Sequence, residues 1–529
     1  MRRARPDPAR IPPPPARSGL LGGTAWGLAA EAVALPVALV LVFLLTRHLG
    51  AAGYGAYALA AALATFVQAG LNASLSHATV RFVRTARGDE RARVETSCLR
   101  LHLAIGAVAA CTLFAGSDAL AVLLDAPALG AHLRLFAPGL VLMAAAGAHE
   151  HVLVGRERYR ERALMRLTGW VARLALLLPL LPVGIAVEGA IATHLGGWAA
   201  SLALGRRYAR PALLGPGAST GALARFALSM LGSGAALLAF SCLDLIALKA
   251  FGANLAETGL YVAAQNLALV PAMLLGAFIA PMVANASAAH AAGDVERLRR
   301  AARDALRLPL LLGPFVALGA GAAGPVVRLA YGEGFVDAAG PLRALLLGSV
   351  ALAFVSVCSG LLAAAGRSGL IALVTVPMPV LAGIGLAWVV PGHGIDGAAA
   401  LIAAVSSAAA LGAIAAVRVA IGTPPPARTL VGALATSAGA FVLAGALHGR
   451  GIALALGLAG LALVALAALR ASGAIDAKDV AALRTLLPGA RDGRRPDSRA
   501  PRRRRHGDRR ERTRDGAPDR RHAGASGIG

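Results

Sequence analysis

The chain has 529 residues, of which 57% are hydrophobic and 15% are charged, and its mean hydropathy is +0.67. A composition this apolar excludes an ordinary soluble protein and indicates a membrane protein. The formal charge of +25 would suit a nucleic-acid-binding protein, but most basic residues lie in short connections and in the C-terminal tail. Membrane topology explains the connections better, so we predict no nucleic-acid partner.

The N-terminal half predicts one bundle of membrane helices. Residues 1–18 are basic and proline-rich, which predicts a disordered tail. Residues 19–208 then hold six apolar blocks, each long enough to cross about 30 Å of hydrocarbon as a helix. These blocks lie at about 22–46, 56–79, 101–124, 134–154, 165–186 and 188–205.

The pattern restarts after a predicted inter-lobe loop at residues 209–225. Residues 226–420 predict a second six-helix lobe, residues 428–470 two additional helices, and residues 472–529 an Arg-rich, mostly disordered tail. The second-lobe blocks lie at about 226–250, 260–288, 306–328, 342–365, 369–390 and 396–419. The predicted fold is therefore an all-α polytopic membrane protein with about fourteen transmembrane helices.

The basic residues predict the orientation of these helices, since short cytoplasmic connections collect Arg and Lys. Arginines cluster in alternate connections, beginning with the one after the second block, and the intervening connections hold few. The clusters are Arg81 to Arg93, Arg156 to Arg162, Arg206 to Arg210 and Arg297 to Arg303. We therefore predict a multi-pass membrane protein with both termini in the cytoplasm.

A short motif is repeated in the two predicted lobes. Gly50 to Ala60 reads GAAGYGAYALA, and Gly252 to Ala264 reads GANLAETGLYVAA, so that both contain G-x-Y-x-x-A. Repeats of six crossings have the same orientation and are related by an axis along the membrane normal, with a cavity expected between them. At the outward end of each lobe, we expect the tyrosines Tyr57 and Tyr261 to anchor the chain at the membrane interface.

Two arginines are the first candidates for a binding site. Arg173 lies near the middle of the fifth block, and its spacing places it on one helical face with Arg166 and Trp170. A charge at this depth costs at least about 2.5–3.5 kcal/mol on insertion scales, so such a residue is a candidate cavity residue. A buried guanidinium suits a diphosphate. Alternatively, Arg173 pairs with a carboxylate or extends to the cytoplasmic edge.

Three further ionisable residues are candidates for ion coupling or ion pairing. Glu31 lies within the first block and could bind a proton or sodium ion, or pair with Arg173. Asp244 lies in the seventh block with Lys249 five residues later. Asp244 and Lys249 could couple ion binding to transport, or could form an ion pair that anchors the helix near the membrane interface.

Polar uncharged residues inside the blocks are candidates for sugar binding. Gln265 and Asn266 lie in the eighth block, and Gln68 and Asn72 in the second, its counterpart in the repeat. Amide groups can bind sugar hydroxyls, but they also hold helices together by hydrogen bonds. The triplet from His149 to His151 does not converge on one ion, because adjacent residues point to different helix faces. We predict no metal site and no cofactor.

At these motifs the chain resembles the oligosaccharide and polysaccharide flippases of the multidrug/oligosaccharidyl-lipid/polysaccharide exporter superfamily. The matching pieces are LTRHLGAAGYGAYALA, DLIALKAFGANLAETGLYVAA and LAYGEGFVDAAGPLRAL. The resemblance implies two six-helix lobes that alternate between inward-open and outward-open states. It also implies a lipid-linked oligosaccharide cargo, typically on undecaprenyl diphosphate, and a role in cell-surface polysaccharide or lipopolysaccharide biosynthesis. The expected location is the bacterial cytoplasmic membrane, with membrane lipids as further partners.

Two other functions remain open from the sequence. A drug/cation antiporter of the same superfamily would favour an acidic cavity and twelve helices. A membrane-embedded polysaccharide polymerase or ligase would need a sizeable extracytoplasmic loop, and every outward connection here is short. The chain has no G-x-S-x-G, H-E-x-x-H or Walker A motif. We therefore predict a transporter and not an enzyme. A glycan polymerase or a glycosyltransferase is expected among its neighbours if the resemblance holds.

Overall fold

The computed structural model describes the backbone of residues 18–218, 220–447, 449 and 451–475. It describes their side chains except those of residues 18–29, 31, 68–74, 222, 226–239, 274, 277, 280, 281 and 368. The predicted N-terminal tail, apart from Ser18, and almost all of the predicted C-terminal tail lie outside the described residues. The described part of the chain contains helices and no strand.

Six helices form the first helix group, which covers the first predicted lobe. They are α1 (Ser18–Thr85), α2 (Gly88–Ala115), α3 (Ser117–Leu123), α4 (Leu129–Gly155), α5 (Tyr159–Leu177) and α6 (Val187–Tyr208). A short 3-10 turn, Leu178–Leu180, follows α5.

The second helix group follows, with two further helices after it. Its helices are α7 (Thr220–Ala250), α8 (Leu255–Ala268), α9 (Val270–Ala291), α10 (Val295–Gly321), α11 (Ala323–Tyr331), α12 (Ala339–Ala364), α13 (Ser368–Thr375) and α14 (Pro377–Ile421). A 3-10 turn, Glu333–Ala338, precedes α12. The last two helices are α15 (Ala427–Gly445) and α16 (Gly451–Ala471).

Helix α1 is two helices joined at one glycine. It has 68 residues, and at 1.5 Å per residue a straight helix of that length would be about 100 Å long, roughly three times the hydrocarbon thickness. Gly50 breaks it, with φ 65° and ψ −178°, a conformation that glycine adopts readily. We call the segments α1a (residues 18–49) and α1b (residues 51–85). Gly394, with φ 53° and ψ −141°, breaks the 45-residue α14 in the same way.

The all-α polytopic membrane fold is confirmed. Nine helical stretches among the described residues are long and apolar enough to cross a membrane, and helices run through every predicted apolar block. The stretches Ala32–Val67 and Gly369–Ile421 contain the breaks at Gly50 and Gly394. Large apolar side chains such as Val122, Trp388 and Val419 are exposed on the helix surfaces, as lipid-facing residues are in a membrane protein.

Helix α1 connects the two groups. It packs on α4 and α5 of its own group and on α7 and α8 of the second. Within the second group α12 packs on α10 and α14, while α15 and α16 pack on α10. All the described helices belong to one compact unit, so the predicted lobe boundaries remain predictions.

The connection between the groups is held against the first one. The Arg100 side chain on α2 donates to Leu213 O at 2.8 Å and to Gly215 O at 2.7 Å. Ser97 Oγ donates to Ala218 O at 2.9 Å. These bonds satisfy carbonyls of an irregular segment that has no helical partners of its own.

The repeated motif begins α8 with a capping box. The Asn254 side chain accepts from Glu257 N at 2.9 Å, and the Glu257 side chain accepts from Asn254 N at 2.8 Å. Both bonds satisfy amide groups that the first helical turn leaves unpaired. The start of α8 is thereby fixed, and with it the position of Gly259 one turn later.

Candidate functional site

A cavity of about 240 Å³ lies between α4, α5 and α6. Its wall comes from those three helices alone, so it lies within the first helix group, whereas the sequence predicted a cavity between the two groups. Its polar and aromatic wall consists of Glu150, His151, Arg166, Trp170, Arg173, His194, Trp198 and Ser201. We call it the α4–α6 cavity.

Arg173 is the central cation of this cavity. Its guanidinium donates from Nη2 to the Tyr57 hydroxyl, and its carbon Cζ lies 5.9 Å from the Trp170 ring centre and 5.7 Å from that of Tyr57. Cation–π contacts of this kind stabilise a cation where water is scarce. The Nε atom is buried without a hydrogen-bond partner, and Arg173 makes no ion pair with any described side chain. The guanidinium therefore retains capacity to donate to an anion.

Aromatic side chains surround Arg173. The Tyr57 hydroxyl lies 2.7 Å from His194 Nδ1, and because a guanidinium only donates, the hydroxyl accepts from Arg173 and donates to His194. The His194 ring lies 4.5 Å from the Trp198 ring and 5.6 Å from the Phe136 ring, between ring centres. The result is a cationic centre with rigid apolar faces beside it.

The other end of the cavity lies where α4 ends and α5 begins. Glu150 lines this end and accepts from Arg162 Nε at 2.9 Å. Arg166 also lies on the wall, two helical turns, or about 10 Å, from Arg173. Both arginines selected from the sequence therefore line one cavity together with Trp170.

A buried ion pair fixes the helices at this end. Arg156, just after α4, donates from Nε to Glu95 Oε1 at 2.6 Å and from Nη2 to Glu95 Oε2. The Glu95 side chain, on α2, is 3% exposed and that of Arg156 is 28% exposed. These hydrogen bonds raise the pKa of the Arg156 guanidinium above its ordinary value. The bidentate geometry holds α2 against the end of α4.

The two copies of the repeated motif contact each other across the helix groups. A Cβ on Gly55 of α1b would lie 2.8 Å from Gly259 N and would overlap Leu255 O. A Cβ on Gly259 of α8 would lie 3.0 Å from Gly55 N and would overlap Ala51 O. Each glycine thus meets the carbonyl four residues before the other. We call this contact the glycine crossing.

A hydrogen bond beside the glycine crossing also joins the two groups. Asn266 Nδ2 donates to the Tyr54 hydroxyl at 2.8 Å and to Val262 O at 2.9 Å. Tyr54 is one residue before Gly55 on α1b, so the bond and the crossing form one contact surface. Asn266 therefore serves this surface and does not line the α4–α6 cavity.

Asp244 is the centre of a buried hydrogen-bond network in the second group. Its Oδ2 accepts from the Tyr261 hydroxyl and from Gln265 Nε2, both at 2.9 Å, and its Oδ1 accepts from Leu245 N at 2.8 Å. Lys249 is buried but makes no ion pair with Asp244, because five residues correspond to opposite sides of a helix. The suggested pairing of these two residues is wrong.

Removal of the Asp244 carboxylate should destabilise the second group. In Asp244→Ala the buried donors of Tyr261 and Gln265 lose their acceptor, which we expect to cost about 1–3 kcal/mol for each donor. The free energy of unfolding in mixed micelles measures the effect. Asp244→Asn keeps an acceptor oxygen and is the control, and equal destabilisation by both substitutions would contradict the network.

The predicted interface role of the repeated tyrosines is also wrong. Tyr57 is 5% exposed and Tyr261 is fully buried. Each donates its hydroxyl to a polar partner inside its own group, His194 in one case and Asp244 in the other. The motif therefore places a buried hydroxyl next to a glycine at the contact between the groups.

Other predicted residues fall elsewhere. The side chains of Glu31, Gln68 and Asn72 lie outside the described residues. His149 donates to Ala145 O and is buried, and no three potential metal ligands cluster in the described part of the chain.

Sequence reasoning did not identify Tyr57, His194 and Trp198 as residues of the site. The latter two lie four residues apart on α6, a spacing that could have indicated a shared face.

Comparisons with known proteins identify a family and a shared fold. A family model described as polysaccharide biosynthesis protein matches residues 44–340, more than half of the chain. The structure is similar to that of the lipid II flippase MurJ in an inward closed conformation, with a TM-score of 0.71, 13% identity, and coverage of 87% of this chain and 100% of that one. No curated protein sequence matches the chain.

Two other solved structures share the fold. One is a multidrug resistance MATE family transporter of the MOP superfamily in an inward-facing conformation, with a TM-score of 0.62, 17% identity, and coverage of 74% of this chain and 94% of that one. The other is a MOP superfamily transporter from Pyrococcus furiosus, with a TM-score of 0.58, 16% identity, and coverage of 76% and 95%. At such identities these similarities establish the fold alone.

Proposed function

Because the chain belongs to the polysaccharide biosynthesis protein family, we propose that it is a flippase for a lipid-linked oligosaccharide. The cargo, carried on undecaprenyl diphosphate, crosses the bacterial cytoplasmic membrane while the protein alternates between inward-open and outward-open states. The two helix groups are the moving lobes. The oligosaccharide then enters cell-surface polysaccharide biosynthesis, where glycosyltransferases supply the substrate and a polymerase consumes it.

The observation that carries this proposal is Arg173 in the α4–α6 cavity, which makes no ion pair with any described side chain and whose Nε atom has no hydrogen-bond partner. A cation held at this depth without a counter-ion is costly, which favours a binding role. A diphosphate matches the planar donors of a guanidinium in charge and geometry. Arg166, about 10 Å along the same helix, provides a second cation for the same headgroup.

The aromatic residues of the cavity suit the sugar portion of the cargo. Trp170 and Trp198 line the wall with flat apolar faces, and binding pockets combine such faces with a few polar groups that fix orientation. The lipid tail remains in the bilayer, where the exposed apolar helix surfaces meet it. This division places only the polar headgroup inside the protein.

The basic connections orient the cavity. With both termini in the cytoplasm, the end of α4 and the start of α5 face the cytoplasm, so the cavity end at Glu150 and Arg166 is the cytoplasmic end. The glycine crossing then lies on the outer side, where it holds the two helix groups together. Asp244 remains our candidate for ion coupling, since a buried carboxylate with neutral partners can bind a cation. Glu31 remains a candidate from its position in the first apolar block.

Restoration of surface glycan in a flippase-deficient host tests the proposal. Arg173→Ala removes the charged hydrogen-bond donors, and we expect at least a tenfold loss of restored glycan, the effect of losing about 1.5–3 kcal/mol. Arg173→Lys keeps the charge without the planar fork and should restore an intermediate amount. Arg343→Ala, on α12 outside the cavity, is the matched control. Full restoration by Arg173→Ala would remove Arg173 from the mechanism.

A drug/cation antiporter is the second candidate, since Glu150 lines the same cavity. A cationic drug would need that carboxylate free, but Glu150 is paired with Arg162. Drug-resistance assays on cells that express the protein separate the two functions. Resistance without glycan restoration would favour the antiporter.

A further inference from the structure

Tyr57 connects the α4–α6 cavity to the glycine crossing. Its side chain reaches Arg173 on α5 and His194 on α6, while its backbone belongs to α1b. Gly55, two residues earlier, makes the glycine crossing, and Tyr54 accepts the hydrogen bond from Asn266. One turn of helix therefore carries both the contact with the cavity and the contact with the second helix group.

The hydroxyl of Tyr57 holds α1b in position against α5 and α6. Tyr57 is 5% exposed, and its ring packs 6.3 Å from the rings of Tyr54 and Phe136, between ring centres. The break at Gly50 precedes α1b, so the segment is not continued rigidly from α1a. The cavity side of α1b thus depends on Tyr57 for its hydrogen bonds to Arg173 and His194.

An anion in the cavity would compete with Tyr57 for Arg173. The Tyr57 hydroxyl is a weaker acceptor for a guanidinium than a phosphate oxygen, because only the phosphate carries a negative charge and can accept from two guanidinium nitrogens at once. The guanidinium would turn toward the anion with both Nη2 and the unpartnered Nε. Tyr57 would then lose the stronger of its two polar partners.

We propose that Tyr57 is a positioning residue that couples the α4–α6 cavity to the glycine crossing. Anion binding at Arg173 withdraws the hydrogen bond from the Tyr57 hydroxyl and frees α1b from α5. The freed segment no longer presents Gly55 and Tyr54 to α8, so the contact between the helix groups opens at that end. The identity of the anion rests on the proposed function, whereas the coupling through Tyr57 can be measured without any ligand.

Distances between spin labels test this coupling in the ligand-free protein. The labels are attached at Val183→Cys and Ile452→Cys, because Val183 and Ile452 are 85% and 80% exposed. Val183 lies at the predicted outer end of the first group, and Ile452 lies at the predicted outer end of α16, which packs on α10 of the second group. The native cysteines Cys98, Cys111, Cys242 and Cys358 are replaced by alanine, and the full chain is reconstituted in nanodiscs. Pulsed electron–electron double resonance gives the ratio of the long-distance to the short-distance population.

We expect Arg173→Gln and Tyr57→Phe each to raise that ratio about tenfold, the change that corresponds to one lost charge-assisted hydrogen bond. The double variant should give no larger change than either single variant, because both substitutions remove the same bond. Arg134→Gln, which removes a cation paired with Asp118 outside the cavity, is the matched control and should leave the ratio at the parent value.

The outcomes separate the coupling from the proposed function. A parent-like ratio in both Arg173→Gln and Tyr57→Phe would overturn the coupling, even if the protein restores surface glycan. A raised ratio in a protein that restores no glycan would support the coupling and reject the flippase. A purely structural role for Tyr57 would lower the unfolding temperature of Tyr57→Phe without changing the ratio in the folded protein, and this result also overturns the coupling.

Discussion

Alanine at Gly55 or at Gly259 is expected to abolish glycan restoration. A Cβ on either residue would overlap a backbone carbonyl of the other helix, Leu255 O in one case and Ala51 O in the other. Backbone atoms inside two packed helices cannot move aside as a flexible side chain can, so α1b and α8 must separate. Because the overlap is reciprocal, we expect the two substitutions to reduce glycan restoration equally. The reduction should be about a hundredfold or more, the order of magnitude expected for overpacking of two helix backbones.

Gly276→Ala is the matched control for these substitutions. Gly276 lies in helix α9, and a Cβ there would have no atom within 4 Å. Alanine in a helix is favoured over glycine by about 0.5–1 kcal/mol, so this variant should restore glycan fully. Wild-type restoration by Gly55→Ala or Gly259→Ala would show that the close crossing is not required for transport.

Arg156→Ala should give the largest loss of stability. The substitution leaves the Glu95 carboxylate, whose side chain is 3% exposed, without its bidentate partner. A buried charge that loses its partner costs about 3–5 kcal/mol. The free energy of unfolding in mixed micelles, measured by tryptophan fluorescence, gives this value. Glu95→Ala should cost less, because the remaining Arg156 side chain is 28% exposed and reaches water.

Two further variants determine whether the cost comes from the unpaired charge. Glu95→Leu combined with Arg156→Leu removes both charges, and we expect it to recover part of the stability that Arg156→Ala loses. Arg84→Ala breaks the ion pair with Glu157. The side chains of Arg84 and Glu157 are 48% and 42% exposed, so the substitution should lower the free energy of unfolding by only about 0–1 kcal/mol. Equal losses in Arg84→Ala and Arg156→Ala would contradict the importance of burial.

The sequence predicted the helices well because their signal is local. Apolar length and the spacing of Arg166, Trp170 and Arg173 depend on one helix at a time, and these residues do share the wall of one cavity. The breaks at Gly50 and Gly394 separate crossings that the alternation of apolar blocks had already separated.

The partners of polar residues could not be predicted, because they come from distant parts of the chain. Asn266 and Tyr54 are 212 residues apart, and Tyr57 and His194 are 137 residues apart. The amide of Gln265 donates to Asp244 and does not line a sugar-binding cavity. For the same reason the burial of Tyr57 was missed, since a tyrosine beside a helix end is equally typical of the membrane interface.

The reciprocity of the glycine crossing bears on how the chain arose. Each glycine meets the carbonyl four residues before the other, and the two motifs lie 204 residues apart. An isologous homodimer produces this pattern when one residue meets its own symmetry mate across a two-fold axis. The contact is therefore the one that a half-length ancestor would make with a second copy of itself. Duplication and fusion of its gene would preserve that axis within a single polypeptide, with the cationic cavity kept in one half and the acidic network in the other.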